Sequence, residues 1–183
     1  AWRELPDGSH VGGDMALPVG IDFVTLEPAV VDVPDGEHVL IAGPPRSGRS
    51  SALTVLAAAW REAWPDGELI VYSRRRATSL TQWAESVDAA ILDDARALDD
   101  HVAALLDAAP RRRTAFVIDD AERVADDDHR LLDLAASRVS GVVLFAAGRP
   151  DAIRLQFGHW TAVIRRSRLG AVLTGGADTD FEV

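Results

Sequence analysis

Residues Glu37–Ser51 read EHVLIAGPPRSGRSS. A short, mostly apolar run, His38–Ala42, leads directly into Gly43-Pro44-Pro45-Arg46-Ser47-Gly48-Arg49-Ser50, which has the spacing G-x-x-x-x-G-[KR]-[ST]. The segment Ser50–Trp64 that follows is rich in Ala and Leu and is closed by Pro65-Asp66-Gly67. This is the order strand, glycine-bearing loop, helix, stop. Glycines allow a tight turn that aims backbone N–H groups inward, and the helix behind offers the positive end of its dipole. Together they form a nest sized for a phosphate. Gly43, Pro44, Pro45, Arg46, Ser47, Gly48, Arg49, Ser50 and Ser51 are therefore the candidate phosphate-binding residues. Ser50 would offer its hydroxyl to Mg²⁺, and the cation before it would reach the outer phosphates. That cation is Arg49, where lysine is usual. Arginine keeps the charge, but it is planar and larger, so the exchange is not neutral.

Outward from the loop, apolar runs alternate with helical patterns. Leu69–Tyr72, Thr114–Ile118, Val142–Ala146 and Leu169–Thr174 read as strands. Asp99–Ala109, Asp128–Val139 and Asp151–Arg165 read as helices. Two further strands, Ile21–Leu26 and Ala29–Val33, precede the loop, and residues 73–98 are ambiguous. Continuous apolar runs, as opposed to alternating ones, indicate an α/β fold with a mostly parallel sheet covered on both faces. Residues 1–18 read as a linker or irregular lead-in, and residues 19–183 as one domain.

A nucleotide site of this kind needs a carboxylate at the end of a neighbouring core strand to hold hydrated magnesium. Thr114–Ile118 ends in Asp119, which fits that role together with Ser50. Hydrolytic enzymes usually carry glutamate next, to orient the attacking water. Here the residue is Asp120, one methylene shorter, and a misplacement of about 1 Å costs on the order of a hundredfold in rate. Glu122 would serve only if the loop turned back. A polar group sensing the terminal phosphate belongs at the end of the strand between the two motifs. Ala147 and Gly148 supply none, which leaves Arg149. Binding is expected, and turnover is expected to be compromised.

With these residues in place, the chain resembles a motor domain of the FtsK/SpoIIIE family of RecA-like P-loop NTPases. More narrowly, it is similar to the C-terminal ATPase domains of EccC-type proteins of type VII secretion. The stretches that carry the resemblance are Glu37–Ser51, Thr114–Asp120, Ala147–Pro150 and His159–Leu173 (HWTAVIRRSRLGAVL). The resemblance implies a RecA-like domain over residues 19–183 and ATP with Mg²⁺ as ligands, with weak hydrolysis or none. It implies docking to neighbouring ATPase domains and to the C-terminal signal of a secreted helical-hairpin substrate. It also implies a place on the cytoplasmic side of the membrane within a larger, membrane-anchored protein. The alternative within the family is an active DNA-translocating ATPase.

Charge argues against that alternative. The chain has 19 basic residues, all arginine, against 29 acidic ones, for a net charge of −10. Surfaces that grip a phosphate backbone usually carry the opposite balance, so no nucleic-acid partner is expected. The absence of cysteine excludes a disulfide scaffold, a thiolate nucleophile and Cys-ligated metal sites. No run approaches the roughly eighteen apolar residues of a membrane span. The chain begins Ala1-Trp2-Arg3 and reads as a piece of something larger, or as a processed chain.

Lesser signals have plain readings. Arg165, Arg166 and Arg168 suit a helix C-terminus. Arg74–Arg76 and Arg111–Arg113 read as solvated loops, and Asp126–Asp128 as a helix cap. The five histidines, His10, His38, His101, His129 and His159, lack metal-ligand spacing. Trp60 and Trp64 lie one turn apart and read as core. The stretch Ile153, Leu155, Phe157 and Trp160 is dense enough in apolar groups to be a candidate peptide groove.

Overall fold

Strands that are apolar along nearly their whole length suit burial on both faces, and here four of them form the buried centre of a six-stranded parallel sheet whose two edge strands are largely exposed. The computed structural model describes residues 14–108 and 110–174. Residues 1–13 of the expected lead-in, His10, Ala109 and residues 175–183 lie outside the described residues.

The chain opens with an antiparallel hairpin, β1 (Met15–Ile21) and β2 (Pro28–Val33). The sheet strands are β3 (Val39–Ala42), β4 (Glu68–Tyr72), β5 (Ala90–Leu92), β6 (Thr114–Ile118), β7 (Val142–Gly148) and β8 (Gly170–Val172). The helices are α1 (Arg49–Ala63), α2 (Ser79–Ser86), α3 (Ala95–Asp107), α4 (Arg130–Ser137), α5 (Pro150–Leu155) and α6 (Trp160–Ser167). The order across the sheet is β5-β4-β6-β7-β3-β8. The strand that feeds the glycine loop is thus separated from the strand that ends at Asp119 by β7 alone.

Helices cover both faces. On one, Leu53, Leu56 and Trp60 of α1 pack with Leu80 and Ala84 of α2, Met15 and Leu17 of the hairpin, and Val117, Val143 and Phe145 of the sheet. On the other, Leu98 and Val102 of α3 meet Leu131 and Leu134 of α4, Ile153 of α5 and Trp160 and Ile164 of α6. Trp60 and Trp64 sit with ring centroids 5.8 Å apart, and Arg113 lies over the Trp64 ring at 4.6 Å.

The sequence patterns misplace two elements and leave a third stretch unassigned. The expected strand Ile21–Leu26 is the hairpin turn, and the strand itself begins earlier, at Met15. Asp22 Oδ1 accepts the N–H groups of Val24 and Thr25 at 2.8 and 2.7 Å, closing a turn that leaves Ile21, Phe23, Val24 and Leu26 exposed. The expected helix Asp151–Arg165 is two helices, broken at 156–159. There His159 caps α6 by accepting the Thr161 N–H at Nδ1. The ambiguous stretch 73–98 holds α2, β5 and the start of α3. Helix α2 opens with reciprocal hydrogen bonds between Thr78 and Thr81, and α3 is capped by the Asp94 carboxylate.

His38 precedes β3 and is only 2% exposed, with Nδ1 accepting the Leu144 N–H at 3.2 Å. Burial pushes its pKa down from 6.5 to about 4. The unfolded chain therefore takes up a proton near pH 6.5 that the folded chain refuses until about pH 4. Stability from this group is full above that window and falls as pH drops through it, by about 3 kcal/mol in all. His38→Asn keeps an acceptor for Leu144 and removes the titration. Urea unfolding at pH 7 and pH 4.5 is expected to show a smaller acid loss in the variant than in the wild type.

Candidate nucleotide site

The loop begins at the carboxyl end of β3, where the Gly43 N–H donates to the Gly148 carbonyl of β7 at 3.2 Å. Two residues take left-handed conformations, Arg46 at φ 64° and Gly48 at φ 90°. Such alternation turns successive N–H groups to one side. The first-turn N–H groups of Arg49, Ser50 and Ser51 have no intrahelical partner, and Gly48, the N-cap of α1, has no side chain to cap them. Ser47 Oγ is buried without a hydrogen-bond partner and faces the Cα of Gly43. Pro45, Arg46, Gly48 and Ser51 are exposed, while Pro44 is half-buried.

Asp119 follows β6 and is buried. The Ser50 hydroxyl donates to Asp119 Oδ2 at 2.8 Å, and the Asp120 N–H donates to Oδ1 at 2.9 Å. The two residues expected to share a cation are thus in direct contact across the width of β7. Both offer the hard oxygen that magnesium prefers, and an uncapped helix start lies beside them, so the residues present fit a Mg-bound polyphosphate.

Arg49 does not extend into solvent. Its guanidinium donates to the Gly43 carbonyl at 2.9 Å and pairs with Asp120 Oδ1 at 3.2 Å. A second guanidinium, Arg75, reaches Asp120 Oδ2 at 2.6 Å. Asp120 itself is held at φ 49°, a left-handed conformation that Asp tolerates better than most residues. The carboxylate at the position of the hydrolytic base therefore stands between two arginines.

Glu122 lies in the 3₁₀ turn Ala121–Arg123 and is buried. Its carboxylate accepts the Arg149 N–H at 3.3 Å and pairs with Arg149 Nε at 3.3 Å. A Cβ on Gly148 would lie 2.5 Å from Glu122 Oε2. Glycine at 148 thus makes room for a buried glutamate, and that glutamate occupies Arg149. The sequence reading names Glu122 and Arg149 singly but misses their pairing, and it misses the role of Arg75. Arg75 sits in a run of three arginines that looks merely solvated, and only the adjacency of β4 and β6 brings it to Asp120.

Other candidates resolve as follows. Arg76 pairs with Asp93. The Asp126 carboxylate accepts the N–H groups of Leu131 and Leu132, each at 2.9 Å, and so caps α4. Arg165 and Arg166 lie in the last turn of α6, and Arg168 ends it. Ile153 and Trp160 are buried, whereas Leu155 and Phe157 are 77% and 80% exposed, so only half of the expected apolar groove faces outward. Among the described residues no cluster of His, Asp and Glu suits a metal by itself, and no helix is long and apolar enough to cross a membrane.

A parallel sheet in which one strand separates the phosphate-loop strand from the carboxylate strand, with helices on both faces, is the α/β fold seen in RecA-like P-loop NTPases. Solved structures agree with that class. The cytoplasmic domain of the type VII secretion ATPase EccC from Thermomonospora curvata matches with TM-score 0.68 and 23% identity, over 94% of this chain and 23% of that one. T. curvata EccC ATPases 2 and 3, in complex with a signal sequence peptide, give 0.69 and 23%, over 92% and 35%. The cytoplasmic domain of EssC gives 0.68 and 20%, over 88% and 35%. The chain spans 23% to 35% of the length of these neighbours. No family model and no curated protein matches it. At these identities the likeness establishes the fold, which is that of the EccC and EssC ATPase domains, as the resemblance implied.

Proposed function

We propose that this domain binds ATP with Mg²⁺ at Gly43–Ser51 and holds it with slow hydrolysis or none, as one ATPase-type unit of a type VII secretion motor. The observation that carries the reading is the 2.8 Å contact between Ser50 and Asp119, which sets two magnesium-type ligands at the head of an uncapped helix. Slow turnover is supported by Asp120, which is engaged by Arg49 and Arg75, and by Gly148, which offers no side chain to a terminal phosphate. Bound ATP then acts chiefly as a stabilising ligand and a switch in contacts with neighbouring ATPase domains. Docking of a substrate's C-terminal signal, a helical-hairpin protein by the resemblance, is supported by the exposed Leu155 and Phe157. The cytoplasmic side of the membrane, within a longer anchored protein, is part of the same reading.

Thermal unfolding tests it. A ligand that binds only the folded state adds about 2.7 kcal/mol at a hundredfold over its Kd, which corresponds to a rise of about 5–10 °C in Tm for a domain of this size. Mg-ATP is expected to give a rise of that order, with phosphate release remaining slow. An unchanged Tm would contradict binding. Brisk phosphate release stimulated by DNA and lost in Asp119→Ala would favour the translocase alternative.

A further inference from the structure

Arg49 enters from the head of α1 and Arg75 from the loop after β4, and both end on the carboxylate of Asp120. The side chains of Arg49 and Asp120 are only 10% and 14% exposed, so this is no loose surface pair. Two nearly parallel demands meet there. Each guanidinium presents a fork of N–H donors that fits a pair of oxygens on a carboxylate or a phosphate. Asp120 engages one amine of each guanidinium, Oδ1 with Arg49 and Oδ2 with Arg75, while the other Arg49 amine donates to the Gly43 carbonyl. Its left-handed backbone and the Asp119 hydrogen bond on its N–H hold it in that position.

We propose that Arg49 and Arg75 together form the site for the outer phosphates of a nucleoside triphosphate, with Asp120 occupying that site as a tethered anion in the free protein. The inference rests on the nucleotide reading above and adds a second phosphate-binding cation and an internal competitor. Arriving phosphates take over the two guanidinium groups, and Asp120 turns away from them. Arg75, the more exposed of the two cations, has room to follow the ligand. Asp120 lowers affinity by the strength of the contacts that must be exchanged, and it spares Arg49 from being half-buried without a counterion when no nucleotide is bound.

Isothermal titration with Mg-ATP of the wild type, Asp120→Asn and the double variant Asp120→Asn/Arg75→Ala tests both halves, with thermal melts confirming folding. Asparagine is well tolerated in the left-handed conformation, so the single variant keeps the loop geometry. Asp120→Asn is expected to bind about tenfold more tightly than the wild type. The double variant is expected to bind about tenfold more weakly than Asp120→Asn. If Arg75 served only to neutralise Asp120, the double variant would match Asp120→Asn, and the proposal would fall. It also falls if Asp120→Asn binds no more tightly than the wild type. Wild-type binding together with an unaltered Asp120→Asn overturns this inference alone, whereas silence of all three proteins overturns the nucleotide reading with it.

Discussion

Asp119→Asn is expected to lose about a hundredfold in affinity for Mg-ATP while binding ATP in EDTA as the wild type does. Asp119 is buried, and its two oxygens accept from Ser50 and from the Asp120 backbone. A cation placed between the Ser50 hydroxyl and a bound phosphate therefore meets one full negative charge from the protein, in a setting where solvent screens little. Asparagine preserves shape, with its carbonyl accepting the Asp120 N–H and its NH2 donating to the Ser50 hydroxyl in place of the present bond, but it removes that charge. The backbone cradle of Gly43–Ser51 is untouched, so metal-free ATP loses nothing. Fluorescent-nucleotide titrations with and without EDTA separate the two contributions. Equal losses in both conditions would place Asp119 outside the magnesium site.

Trp160→Ala is expected to lower stability by about 4 kcal/mol, a fall of about 10 °C in Tm. Trp160 is fully buried among α4, α5, α6 and the sheet, with the His159 ring against it at 5.3 Å. Alanine leaves a cavity the size of an indole, at the point where the chain has just broken one helix and begun another. Trp160→Phe is expected to cost much less than the lost volume suggests. The indole N–H is buried without a partner, and removing it relieves a desolvation penalty of about 1–3 kcal/mol. Chemical denaturation of the two variants checks the order. A phenylalanine variant as damaged as the alanine one would show that the N–H is satisfied in solution.

The parallel sheet was legible because burial on both faces writes itself as unbroken apolar runs, and Thr114–Ile118 and Val142–Ala146 appear where such runs predict. The phosphate loop was legible because glycine and serine spacing encodes a backbone shape. Ile21–Leu26 misled because its side chains look like a strand, while the Asp22 carboxylate imposes a turn and leaves them in solvent. The break at 156–159 was hidden because the apolar content continues across it, and only the His159 cap marks the restart. The capture of Arg49 by Asp120 depends on which strands are neighbours. Residues 71 positions apart in the chain meet there, and no local pattern records such a meeting.

One consequence of the strand order reaches beyond the residues that would touch a ligand. β7 contributes no side chain to the cradle, yet it holds β3 and β6 two interstrand steps apart, about 10 Å. Its Gly148 carbonyl also tethers the first residue of the loop. Ala146 and Ala147 are fully buried at its upper end, each facing a different helical layer. The span of the site is thus fixed by a backbone ladder, in a strand whose own side chains face the two helical layers.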